Sequence, residues 1–318
     1  MGSGGRMPHS SYARSDYLTF VTVATGLLFP EGPIACADGS LLLVEMFRPS
    51  LTRISPTGVV SVVASMDGGP NGAAVGPDGR IYICNNGAAF APVDTADGGV
   101  DVVYSDAQRY IGGSIDVVDM ASGSVTTVYR ACAGVPLRAP NDLVFDAHGG
   151  FYFSDLGYPI EGFAPASPIY YARADGSSIA VCVANARGPN GIGLSPDGTR
   201  LYWAETMAGR LMSVGIDAPG ICAGTPVALY QFPAGDALDS LAVDCEGNVC
   251  VAVLGSGAIA CVAPNGALIA RYPTGDSGTT NICFGGPDRR TAFVTLGRSG
   301  QVVSMQWHCA GLALAHER

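Results

Sequence analysis

Residues 189–205 read PNGIGLSPDGTRLYWAE: a polar residue, Asn190, opens an apolar run that reaches a Gly-bearing turn at Gly198 and returns as a second apolar strand. The pattern recurs six times. The openers are Glu31, Asn71, Asn141, Asn190, Asp239 and Asn281, and the turn position follows eight residues later at Gly39, Gly79, Gly149, Gly198, Gly247 and Arg289. The returning strands are LLLVE, IYICN, FYFSD, LYWAE, VCVAV and AFVTL. Equal spacing in six copies predicts one equivalent position in six repeated units. Alternating apolar residues around further Gly- and Asp-rich turns predict a second hairpin after most of these pairs. The openers stand 40, 70, 49, 49 and 42 residues apart. Four-stranded units at that period predict an all-β fold, a six-bladed β-propeller with antiparallel blades around a central metal-binding channel.

The last unit is short of a strand, and TFVTVATG (19–26) is expected to supply it from the N-terminal side, closing the ring. Residues 17–310 are read as one propeller domain, between a flexible segment at 1–16 and a tail at 311–318. MGSGGR (1–6) reads as an added leader before a natural start at Met7, and the N-terminus carries no signal-peptide pattern. The 70-residue interval holds an insertion at about 86–113, rich in Gly, Asp and aromatics, expected as a loop on one face where specificity resides.

The composition narrows the function. A net charge of -10 argues against nucleic acid as a partner. All 17 basic residues are arginine, so lysine-based Schiff-base chemistry and a P-loop are both excluded. No apolar run is long enough to span a membrane. Ten cysteines without a C-x-x-C pair read as small buried hydrophobes in a reducing cytoplasm, with a disulfide framework in an exported protein as the alternative.

The openers comprise two carboxylates and four amides, with no Lys, Arg or His. A single Pro-Asn-Gly is an ordinary turn; six such side chains at one repeat position suggest an all-oxygen cation site. That donor set suits one divalent metal ion, calcium first, with manganese, zinc or iron(II) also accommodated. A second set, Glu45, Asn85, Asp155, Glu205 and Thr295, ends the second strands and is expected to orient ligands or cap strands. Arg138, three residues before Asn141, is a candidate for a substrate oxyanion or carboxylate, and Glu161 in GYPIEGF is a weaker one at the same mouth. The four histidines lie in tails, a turn or a strand end, and Ser154 and Ser240 have no evident base, so a Ser-His-Asp triad is not expected.

The motifs PEGP (30–33), PND (140–142), PNGIGLSPDG (189–198), LYWAET (201–206), LDSLAVD (238–244) and TNICFGG (280–286) together resemble the senescence marker protein / gluconolactonase / luciferin-regenerating enzyme family, over about residues 18–308. That resemblance implies Glu31, Asn141, Asn190 and Asp239 as metal ligands. It implies Asp239 as general acid/base, and Arg138 and Asn141 near the substrate, with Asn71 and Glu161 added as substrate-side candidates. Two departures are the spacing of Arg138 from Asn141 and Ser240 where many members have glycine. The implied activity is a gluconolactonase-like hydrolase acting on a sugar aldonolactone in carbohydrate metabolism. Its partner would be a small-molecule lactone, and the protein a cytoplasmic monomer or weak homo-oligomer. Alternatives are a phosphotriester or other ester hydrolase at the same site, or a metal-stabilised binding propeller; a strictosidine-synthase-like condensing propeller lacks its expected glutamate context.

Overall fold

A computed structural model describes residues 19–158 and 167–316. Six four-stranded antiparallel sheets surround one axis. Blade 1 comprises Pro30–Ala35, Leu41–Glu45, Ser50–Ile54 and Val60–Ser65, from the axis outward. Blade 2 comprises Pro70–Val75, Ile81–Asn85, Ser114–Val118 and Val125–Tyr129, and blade 3 Pro140–Phe145, Gly150–Asp155, Ser167–Arg173 and Ile179–Ala186. Blade 4 comprises Pro189–Leu194, Arg200–Glu205, Arg210–Ala218 and Ile221–Gln231. Blade 5 comprises Ala237–Val243, Val249–Leu254, Ala258–Val262 and Leu268–Pro273. Blade 6 has Thr279–Gly285, Thr291–Leu296 and Gln301–Gln306, completed by Val21–Ala24. The ring therefore closes as expected, through Val21 paired with Ser304.

Each blade buries one apolar face against each neighbour. The pattern is visible in the cluster joining blades 2 and 3 (Tyr82, Ile115, Phe145, Phe151) and the one joining blades 5 and 6 (Cys250, Ile259, Ile282, Val294). The six turn positions all adopt the left-handed conformation, with φ of 81°, 77°, 77°, 68° and 81° at the glycines and 53° at Arg289. Five of the six use the residue that adopts it without penalty.

Two features depart from expectation. The insertion is not irregular: Phe90–Asp94 pairs with Val100–Tyr104 as a hairpin. It leaves the blade 2 end from which the openers start and reaches blade 6, where the Val100 N–H donates to the Arg298 carbonyl (3.0 Å). Arg298 also pairs with Asp97 (2.6 Å) and Asp101 (3.4 Å). Blades 2 and 6 flank blade 1, so this hairpin is a strap over the mouth side of the ring. The cysteines are not all reduced either. Cys182 and Cys222 form a disulfide that ties the outermost strands of blades 3 and 4.

A second crossing lies on the opposite face. After the last strand, the Cys245 N–H donates to Ala310 (2.9 Å) and the Leu312 N–H to Val243 (3.0 Å). The chain then runs under the ring to His316, whose ring centroid is 5.4 Å from that of Phe145 in blade 3.

Candidate metal centre

The openers meet at the axis because every innermost strand is bulged there. Pairing with the second strand shifts register between Glu31 and Ile34, Pro70 and Ala73, Pro140 and Leu143, Pro189 and Ile192, Leu238 and Leu241, and Thr279 and Asn281. A bulge bends a strand and re-aims its side chains. The bulged residues also bring neighbouring backbones unusually close. A Cβ on Gly72 would lie 2.6 Å from the Asn141 carbonyl oxygen and 2.6 Å from Asp142 Cα. One on Gly191 would lie 2.6 Å from the Leu241 nitrogen. At Gly72 and Gly191 the neighbouring strand leaves no room for a side chain.

All six openers are buried, Glu31 at 1% and Asp239 at 7% exposure. The Asn281 amide donates to Glu31 Oε2 (3.2 Å), and the Ser240 hydroxyl donates to Asn190 Oδ1 (3.4 Å). The side-chain Oδ1 atoms of Asn71 and Asn141 are buried with no hydrogen-bond partner among the described residues. Orphaned buried acceptors are costly unless something polar or charged completes them.

The carboxyls show the same lack. Burial, and then the Asp239 charge, pushes Glu31 well above the usual carboxylate range. Burial pushes Asp239 up to about 8, opposed by a hydrogen bond from Asn190 and reinforced by Asp142. Asp142 itself is pushed up to about 7 by burial, against hydrogen bonds from the Leu143 and Ile192 backbones and Ser240. Three neighbouring buried carboxyls and two unmatched amide oxygens are a donor set of the kind a hard cation takes.

Asp142 was not anticipated in this group. It occupies the position after the opener, where three other blades have glycine (Gly32, Gly72, Gly191). That break in the repeat was its only sequence signal. The residues that end the second strands share a common role, since most of them grip the backbone leading into the openers. Glu45 accepts the Leu28 N–H (2.7 Å), Asn85 the Gly69 N–H (2.9 Å), and Glu205 the Arg187 N–H (3.0 Å). Asp155 accepts the N–H groups of Arg138 and Ala139, both at 2.8 Å. Thr295 instead accepts a hydrogen bond from the Thr280 hydroxyl (2.9 Å).

Arg138 is half-buried beside Asp155, and its carbonyl accepts the Tyr110 hydroxyl (2.6 Å). Tyr110 stacks on Tyr158 with ring centroids 3.9 Å apart. The strap and the loop carrying Arg138 thus share one aromatic support on the mouth side. Glu161 lies outside the described residues. A cavity of about 510 Å³ lies beyond the opener ring, towards the opposite face; Asp142, Leu143, Ile192 and Leu241 are among its walls, with Leu312 and His316 on the far side.

Comparison with known proteins gives a consistent result. The family described as "SMP-30/Gluconolactonase/LRE-like region" matches residues 29–298. The lactonase drp35 of Staphylococcus aureus is 26% identical over 234 residues, covering 70% of this chain. The chain spans 62% of the length of that relative. Among solved structures, a gluconolactonase from Xanthomonas campestris superposes with a TM-score of 0.75 at 22% identity, covering 95% of this chain and 94% of that one. A calcium-binding protein, regucalcin, from Agrobacterium tumefaciens superposes with a TM-score of 0.74 at 22% identity, covering 94% and 97%. These last two likenesses are of fold.

Proposed function

The chain belongs to the SMP-30/gluconolactonase/LRE-like family, and from that premise we propose that it hydrolyses a lactone, a sugar aldonolactone first, with a divalent cation held at the axis. Glu31, Asn141, Asn190 and Asp239 would hold the ion, calcium being the first choice for an all-oxygen set. The observation that carries this reading is the pairing of unmatched Asn71 and Asn141 oxygens with mutually repelling carboxyls around one axis. When bound, such an ion supplies Lewis-acid polarisation of the ester carbonyl.

The chain's own groups do the rest. Asp239 is the carboxyl for proton transfer: it takes a proton from the attacking water and returns it to the departing alkoxide of the opened ring. Asn190, hydrogen-bonded to Asp239 and held in turn by Ser240, fixes its orientation. Arg138, whose backbone is anchored by Asp155, would meet the oxyanion or the carboxylate product. A cyclic ester needs no covalent nucleophile, which fits an axial site whose described residues offer no histidine or activated serine. The proposed compartment is the cytoplasm: eight cysteines are free thiols, as a reducing compartment would leave them, against the single Cys182–Cys222 cross-link.

The test is a pH-indicator assay on a panel of aldonolactones, using ion-stripped protein resupplied with calcium, manganese, zinc or iron(II). Turnover should require an ion and fall by about 10²–10⁴ in Asp239→Asn. Turnover that ignores the ion, or survives that substitution, overturns the assignment.

A further inference from the structure

The axial ring is built from oxygen donors. On the opposite face, three donors of different chemistry meet: a carboxylate oxygen of Asp244, an imidazole nitrogen of His308 and the thiol of Cys309, all within 4.8 Å of one another. Asp244 ends the run of the innermost strand of blade 5 and is fully buried. Its Oδ1 accepts the N–H groups of Glu246 (3.0 Å) and Asn248 (2.9 Å), and its Oδ2 accepts the Asn248 side-chain amide (2.9 Å). Four hydrogen-bonding directions exist on a carboxylate; Glu246 and Asn248 fill three, and the Cys309 thiol hydrogen-bonds the same carboxylate, so the sulfur already faces it. His308 Nε2 lies 3.9 Å from that oxygen, with its side chain 38% exposed. Cys309 is buried beside them.

We propose that Asp244, His308 and Cys309 form a second metal site, selective for a thiophilic divalent cation of the zinc class and separate from the axial ring. The donor set decides the selectivity: thiolate and imidazole favour zinc-like ions, whereas calcium and magnesium require oxygen. Bond lengths of about 2.0–2.3 Å place tetrahedral donors roughly 3.3–3.8 Å apart, so the carboxylate–imidazole separation is already close to that required. The Cys309 sulfur, within 4.8 Å of the other two donor atoms, completes the face by closing about 1 Å. Binding breaks the Cys309 S–H bond, releases its proton to solvent and forms the metal–sulfur bond. The exposed side of His308 leaves water for the fourth position, and the Asn248 amide holds the carboxylate from behind.

The location gives the site a consequence. His308 and Cys309 begin the crossing under the ring, and Gly311, two residues on, donates its N–H to the Arg289 carbonyl (2.8 Å). Residues 312–316 then line the 510 Å³ cavity. An ion at this root fastens the C-terminal crossing to blade 5 and so fixes one wall of that cavity.

The experiment strips the full chain with chelator and titrates it with cobalt(II). Sulfur ligation produces a charge-transfer absorption band that oxygen donors cannot produce, so the band reports this site and not the ring. It should saturate at one ion per chain, bleach on adding zinc, and disappear in Cys309→Ala. His308→Ala, at a partly exposed position that does not threaten folding, should weaken apparent affinity by at least about tenfold. Cys245→Ser, which removes the neighbouring exposed thiol, should retain the band. A folded wild type without the band overturns the proposal, as does a band that survives Cys309→Ala or is lost with Cys245.

Discussion

Gly72→Ala is the most direct perturbation of the axis. The added Cβ would stand 2.6 Å from the Asn141 carbonyl oxygen, 2.6 Å from Asp142 Cα and 2.7 Å from Asp142 Oδ1. Two of these three atoms are backbone, so no side-chain rotation relieves the contact, and blade 3 must move away from blade 2. Overpacking of this kind costs typically 1–3 kcal/mol, and rigid backbone neighbours place this case near about 3 kcal/mol. Thermal unfolding should fall by about 4–5 °C at that cost for a chain of this size. Asn141 sits on the displaced backbone, so calcium affinity measured by calorimetry should weaken by about 10- to 100-fold, as when a ligand's support is removed. Gly79→Ala provides the contrast. Its Cβ meets nothing within 4 Å, but its φ of +77° carries a conformational penalty of about 1–2 kcal/mol. It should lower the melting temperature slightly and leave calcium affinity unchanged. If Gly72→Ala binds calcium like the wild type, close packing of the innermost strands does not shape the site.

Two further outcomes follow from the same geometry. In the ion-free protein Asp239 holds its proton up to about pH 8 and Asp142 up to about pH 7, whereas an unfolded aspartate releases it near about pH 3.9. The folded state therefore binds more protons across that window, and stability should decline as pH rises through it. Calcium should offset the decline; a melting temperature that rises with pH in chelator would contradict the buried-carboxyl account. Arg298→Ala removes the Asp97 and Asp101 pairings and the bond to Thr95 Oγ1 (3.0 Å). Hydrogen exchange across 90–104 should accelerate by about tenfold with little change in the blades. Unchanged exchange there would mean that the strap stands without its blade 6 anchor.

The repeat was legible because a propeller is quasi-one-dimensional. Opener, turn and returning strand recur at fixed separations, so Glu31, Asn71, Asn141, Asn190, Asp239 and Asn281 announce one shared position before any coordinates exist. The strand from residues 19–26 was legible from the deficit in the last blade. The strap's hairpin was also written locally, in alternating FAPVD and VDVVY around an Asp-Gly-Gly turn, but its aromatic and Gly-rich surroundings obscured it.

What the chain alone determined is thus the ring, its order of blades and the chemical character of its axis, because spacing and residue type suffice for these. What only the tertiary structure decided are the meetings between residues far apart in sequence. Asp142 joins Glu31 and Asp239 because three blades converge. Arg298 captures Asp97 from 201 residues away, and Cys182 finds Cys222 across a blade boundary. His308 and Cys309 reach Asp244 because the chain turns back beneath the ring. No local propensity encodes such encounters; they follow from the closure of six sheets into a ring, which brings distant segments side by side.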